Sequence, residues 1–129
     1  MSNVDIVKRL YAAFADGDLE TVSTLISPSV EWIESEGIPY GGVFQGYEAV
    51  LSGVFAKIDA EWTDFTACVD KFIDAGDTIV TLGTDSGIHK ATGKAMQAPT
   101  ASVWTVKDGK VVKFRQYIDT LAVFNATQA

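Results

Sequence analysis

The stretch PTASVWTVKDGKVVKFRQYID, residues 99–119, decides the fold. Two apolar runs flank Lys107-Asp108-Gly109-Lys110, and Asp-Gly between alternating hydrophobic residues is a strong short-range signal of a β-hairpin. Successive strand side chains point to opposite faces. In the second arm Val112, Phe114 and Ile118 therefore share one face, and Lys113, Arg115, Tyr117 and Asp119 share the other. Gln116 interrupts the apolar face. A polar side chain there must find partners or line a cavity, so the search for function starts from it.

Outward from the hairpin, the period of two extends back to about residue 64. The pattern predicts strands near 64–74, 78–89, 96–107 and 110–119, joined by Ala75-Gly76-Asp77, a turn from Lys90 to Lys94, and Asp108-Gly109. Before residue 62 the spacing is helical. Val4, Val7, Leu10, Tyr11 and Phe14 form one apolar stripe, capped by Ser2 or Asn3. Asp18 caps a second helix bearing Leu19, Val22, Leu25 and Ile26, and Pro28 stops it. Val30, Trp32 and Glu34 alternate with Glu31 and Ile33 in a short strand. Residues 37–46, with four glycines and Pro39, read as a sharply turning loop. Tyr47, Leu51, Val54, Phe55, Ile58 and Trp62 mark a third helix, and TLAVFNATQA a short terminal one. Helices first and a strand meander afterwards predict an α+β fold, with helices gathered on one face of an antiparallel sheet. A curved sheet around a long helix leaves a cavity at its mouth, a preferred ligand site.

The 129 residues suit one domain spanning 1–129, and 47% apolar residues suffice to fill its core. A formal charge of −7 with no basic run argues against nucleic acid or an anionic membrane as partner. The start, SNVDIVKRL, has charges interleaved rather than a leader pattern, and no apolar run reaches the ~18 residues of a membrane span. The expectation is a cytoplasmic protein. The single Cys68, in an apolar strand-like run, reads as buried, inert and in a reducing compartment. In DTIVTLGTDSGIH both strand faces carry apolar residues: Ile79 on one, Val80 and Leu82 on the other. A sheet covered on one side only would show a polar outer face. The expectation is a homodimer through that outer face.

IVKRLYAAFADGDLETVSTLI, SVEWIE, GGVFQGYEAVLSGVF and VWTVKDGKVVKFRQYID, in this order, resemble the nuclear transport factor 2-like superfamily, in particular its SnoaL-like branch related to ketosteroid isomerases. The resemblance covers nearly the whole chain and implies a cone-shaped curved sheet wrapped around three N-terminal helices. That superfamily holds isomerases, cyclases, epoxide hydrolases, dehydratases and non-enzymatic modules, so fold alone does not assign an activity. The resemblance puts Glu34 where the steroid isomerases carry their general base. The position of their acidic oxyanion donor reads Ser102, and that of its tyrosine partner reads Leu10. Tyr11 lies one residue on, about 100° around the helix. Gln116 falls where cyclases and epoxide hydrolases carry a catalytic aspartate, and an amide transfers no proton. Asp85 matches a second carboxylate of the hydrolases, while their intervening arginine reads Gly83.

These residues make up the expected site. Glu34 is the proton shuttle, its pKa raised by a partly apolar surrounding. Tyr40, Asp85, Ser102 and Gln116 orient the substrate, and Trp32 and Trp104 give aromatic walls for a flat, apolar small molecule. Asp85 alternatively pairs with Arg115 or Lys90. His89, beside Lys90, reads as an exposed turn residue, and Asp119 ends its strand outside the pocket unless it turns inward. No His, Cys or carboxylate spacing suggests a metal, and the glycines do not follow a phosphate-cradling pattern; no cofactor is expected. The reading is a cofactor-independent isomerase, dehydratase or cyclase acting on an apolar carbonyl- or hydroxyl-bearing molecule. Its rival is a non-catalytic ligand-binding or dimerisation module of the same fold.

Overall fold

The computed structural model describes all 129 residues. Helix α1, Asn3–Ala15, begins at a capping box: Ser2 Oγ accepts from the Asp5 backbone N–H, and the Asp5 carboxylate accepts from the Ser2 N–H. Helix α2, Leu19–Leu25, is capped by Asp18. It stops three residues before Pro28, because Ile26 already opens strand β1, Ile26–Glu34. Pro28 is tolerated inside that strand because the register against its neighbour shifts between Ile26 and Glu31.

The glycine-rich segment is not all loop. Gly42–Gln45 form strand β2, antiparallel to β1, with Trp32 level with Phe44. Residues 47–61 then run as one helix, α3, with a π-helical turn at Leu51–Phe55. Strands β3 (Trp62–Ala75), β4 (Thr78–His89), β5 (Ala95–Lys107) and β6 (Lys110–Ile118) follow, and helix α4, Thr120–Ala126, ends the chain. Trp62, assigned to the third helix by its spacing, instead begins β3.

The six strands lie in the order β2-β1-β6-β5-β4-β3. All pairs are antiparallel except β1 with β6, so the sheet is mixed rather than purely antiparallel. The Asp108-Gly109 turn has φ of 52° and 77°, the left-handed pair that a two-residue type I′ hairpin requires. A bulge between Thr105 and Val106 moves the second arm's phase, so Val111 rather than Val112 is fully buried. Helix α1 lies across the concave face of β3, β4 and β5, and α3 packs on β1 and β3. The core between them includes Val7, Leu10, Val30, Trp32, Val54, Ile79, Trp104 and Phe114. This is the expected α+β cone, curved and unclosed.

Candidate active site in the cone

Strand register builds the site in rows. Ile79 is level with Trp104, Trp104 with Phe114, and Phe114 with Trp32, which lays an apolar floor across four strands. The rings pack tightly: Trp32 stacks on Phe114 with centroids 4.0 Å apart, and Trp104 stands edge-on to Trp32 at 5.7 Å. Side chains on one face recur every second residue. The next row toward the mouth is Thr81, Ser102 and Gln116, again level across β4, β5 and β6, with Glu34 two residues beyond Trp32 on β1. Every member of this polar row is buried, and so is Asp85, farther along β4.

Each of these groups has its own partner. Trp32 Nε1 donates to Glu34 Oε2 at 2.7 Å, and Gln116 Nε2 donates to Asp85 Oδ2 at 3.3 Å. Gln116 thus holds the second carboxylate, and Asp85 forms no ion pair with Arg115 or Lys90. Trp104 Nε1 donates to Thr81 Oγ1 at 3.0 Å, and Tyr11 Oη shares a hydrogen bond of 2.9 Å with the same hydroxyl. Tyr11, not Leu10, therefore brings a phenol into the cone. Ser35 Oγ donates to the Gln116 carbonyl at 2.8 Å and ties the segment after β1 to β6. Within that segment Ile38 and Tyr40 fold inward and are buried.

Two buried polar atoms of the site have no partner: Tyr40 Oη and Gln116 Oε1. An orphaned donor and an orphaned acceptor are costly unless something completes them. Burial also acts on the acids. It pushes Glu34 up to about 8 against the Trp32 hydrogen bond, with the Asp85 charge adding to the rise. Burial raises Asp85 to about 7, opposed by the Gln116 amide. Tyr11 is raised to about 12, mainly by burial, and Tyr40 is pushed well above its ordinary value by burial and by both carboxylates. Burial among the cone's aromatic side chains thus raises both acids toward neutrality.

The remaining expectations divide. Asp119 lies outside, where it caps α4 by accepting from the Ala122 N–H at 3.1 Å. His89 is buried rather than exposed, since it belongs to the inner face of β4. Cys68 is exposed rather than buried, because the edge strand β3 turns it to solvent. The residue that replaces the arginine is constrained: a Cβ on Gly83 would sit 1.9 Å from the Cys68 carbonyl oxygen. Tyr11 and Thr81 were missed. Thr81 gave no signal of the kind that exposed Gln116, because its strand face, Ile79, Thr81, Gly83, Asp85, Gly87 and His89, is already mostly polar or glycine.

Two recesses open elsewhere on the surface. One of about 210 Å³ lies on the outer sheet face among Val103, Thr105, Lys113, Arg115 and Tyr117; the other, about 220 Å³, lies beside α1 at Arg9, Asp16 and Thr21. Neither contains a buried acid. The buried acids lie instead on the inner face of the cone, and Ile38 and Tyr40 are buried as well. No three potential metal-binding side chains gather anywhere, and no helix is long and apolar enough to cross a membrane.

The sequence profile of the SnoaL-like domain matches residues 7–114. An NTF2-like protein of Burkholderia thailandensis is 36% identical, covers 100% of this chain and 99% of its own, and superposes with a TM-score of 0.96. TerC, crystallised with polyporic acid, is 26% identical over 96% of both chains, with a TM-score of 0.86. An uncharacterised protein of Mycobacterium tuberculosis is 25% identical over 116 residues, 90% of this chain and 88% of its own length. The chain belongs to the SnoaL-like domain family, within the NTF2-like superfamily.

Proposed function

We propose that the cone is the active site of a cofactor-independent acid–base enzyme, an isomerase, dehydratase or cyclase acting on an apolar carbonyl- or hydroxyl-bearing molecule. One observation carries this reading: Glu34 and Asp85 are both buried, close enough for the Asp85 charge to act on Glu34, and both raised into the neutral range. Coupled carboxylates near neutrality share protons as a pair. Near pH 7 the pair retains a proton that burial keeps from being released. The pair can therefore give a proton at one atom and take one at another, and Glu34 becomes a base once its own proton is spent. Tyr40 Oη and Gln116 Oε1 would orient the substrate, as a donor and an acceptor left free for it. Ser102 and Thr81 supply further hydroxyls, and Trp32 and Trp104 the apolar wall. That TerC was crystallised with polyporic acid supports a small-molecule ligand here as well. Exposed, free Cys68 suits a reducing, cytoplasmic setting. The apolar outer sheet face is proposed to pair with a second copy.

The test needs no known substrate. Deuterium uptake from D₂O at the α-carbon of cyclohexanone and 2-tetralone, followed by mass spectrometry, reports proton abstraction directly. The expected result is exchange that falls about 10²–10⁴-fold in Glu34→Gln and in Asp85→Asn. Exchange equal in wild type and both variants would sink the catalytic reading. The second reading, a non-catalytic binding module, is favoured by the closed cone, in which Glu34, Asp85, Ser102 and Gln116 are each less than a tenth exposed.

A further inference from the structure

Beyond the carboxylate pair, the inner face of the sheet carries two ring nitrogens that the proposed chemistry does not use. Trp62 and His89 are direct cross-strand neighbours on β3 and β4. Their rings lie 4.9 Å apart at 68°, and they are only 3% and 8% exposed. Phe65 packs edge-on against Trp62 at 6.4 Å, and Tyr40 packs against Phe65 at the same distance. The surrounding walls are therefore aromatic. Gly87, on the same strand face, lets Phe65 pack directly on β4, since a Cβ there would come within 3.3 Å of that ring.

The protonation of the imidazole follows from its neighbours. Thr92 Oγ1 donates its one proton to the Ala126 carbonyl at 2.5 Å and accepts the Lys94 N–H at 3.2 Å. Its contact with His89 Nδ1, at 3.4 Å, can then only be accepted from the ring. Neutral His89 thus carries its proton on Nδ1 and its lone pair on Nε2. Nε2 makes no hydrogen bond within the protein, and Trp62 Nε1 is buried with no acceptor. A buried donor without a partner and a ring acceptor that no protein group completes stand on adjacent rings.

We propose that Trp62 and His89 form a hydroxyl-binding subsite for a small alcohol or phenol carried on an apolar body. A hydroxyl completes both rings at once, because its oxygen accepts from the indole N–H and its proton goes to Nε2. A ketone or an ether serves Trp62 alone, and an ammonium group serves His89 alone. The subsite rests on the reading of the cone as a small-molecule chamber, not on catalysis at Glu34.

The experiment uses ¹⁵N NMR of the full chain, in which His89 is the only histidine and gives one pair of ring-nitrogen signals. Long-range coupling to the ring protons should place the proton on Nδ1. Three probes are then titrated: cyclohexanol, cyclohexyl methyl ether and methylcyclohexane. Cyclohexanol should shift both His89 Nε2 and the Trp62 indole signal saturably, and bind roughly tenfold more tightly than methylcyclohexane, the difference that pairing two orphaned groups makes. The ether should move the indole signal only. Trp62→Phe should remove the preference for the alcohol and keep methylcyclohexane binding. A proton found on Nε2, equal affinity for all three probes, or signals unmoved by cyclohexanol would overturn the subsite; the last outcome means that water alone completes the pair. Glu34→Gln titrated with cyclohexanol separates the two proposals. A retained His89 shift upholds the subsite even where α-carbon exchange fails, and loss of the shift in that variant alone overturns its independence from Glu34.

Discussion

Glu34 and Asp85 are buried acids with no cation beside them, as the chain's one salt bridge joins Lys113 to Glu31 on the outside. Each has a folded-state pKa above its ordinary value, about 8 against 4.5 for Glu34 and about 7 against 3.8 for Asp85. As pH rises above about 4, the unfolded chain releases these protons while the native state keeps them, so stability falls across the window from about pH 4 to pH 8. The loss is on the order of a few kcal/mol. Thermal unfolding should show the melting temperature declining by roughly 5 °C or more from pH 5 to pH 8. Glu34→Gln should flatten that decline, because the amide oxygen still accepts from Trp32 Nε1 and no longer ionises. A wild-type melting temperature that rises with pH would mean that the acids are not held neutral. The polarity of this site was legible at Gln116 and Glu34, since each sits in phase with apolar neighbours along its own strand. Tyr11 was not, because one helical residue of phase separates a core stripe from a pocket. His89 was hidden by its turn: proximity to Lys90 says nothing about which strand face a side chain joins.

The π-helical turn of α3 packs against one ring at Gly53. A Cβ on Gly53 would lie 2.4 Å from Phe44 Cε1, so β2 can lay its phenylalanine against the π-helical turn only while residue 53 has no side chain. Gly53→Ala should cost about 1–3 kcal/mol through overpacking, read as a lower urea midpoint; an unchanged midpoint would mean that the ring swings clear. The β5–β6 turn is a second such point. Gly109→Ala, at φ 77°, should cost about 1 kcal/mol in the same assay. The elements that could be read from sequence were those with their own signal: capped α1, the Asp-Gly hairpin, and the long alternating strands. Strand β2 could not be read, because four residues among glycines become a strand only through pairing with β1. Likewise, no local pattern reports that β1 runs parallel to β6; that follows from the path of α3 and the meander around the cone.

Seen as a whole, the sheet is covered by helices on its concave side and bare on the other. The bare side is not a solvated polar surface. Val80 and Val103 are half-buried there without a covering layer, and Leu82, Ile88 and Tyr117 are 36%, 39% and 51% exposed. Lys113 and Arg115 border the recess between them, with Arg115 set over the Tyr117 ring at 5.1 Å. A face with apolar residues at its centre and charges at its edge suits association better than water, and a second copy is the partner always present. Sedimentation velocity at tens of micromolar should therefore give twice the 13.9 kDa of one chain. Leu82→Glu should return the monomer, since an unpaired charge buried in such a contact costs about 3–5 kcal/mol, on the order of a hundredfold or more in dimer affinity. Leu82 lies on the face opposite the polar row, so circular dichroism and the pH dependence of the melting temperature should survive in the variant. A wild-type chain that sediments as a monomer would leave the outer face without a partner and separate the dimer from the chemistry of the cone.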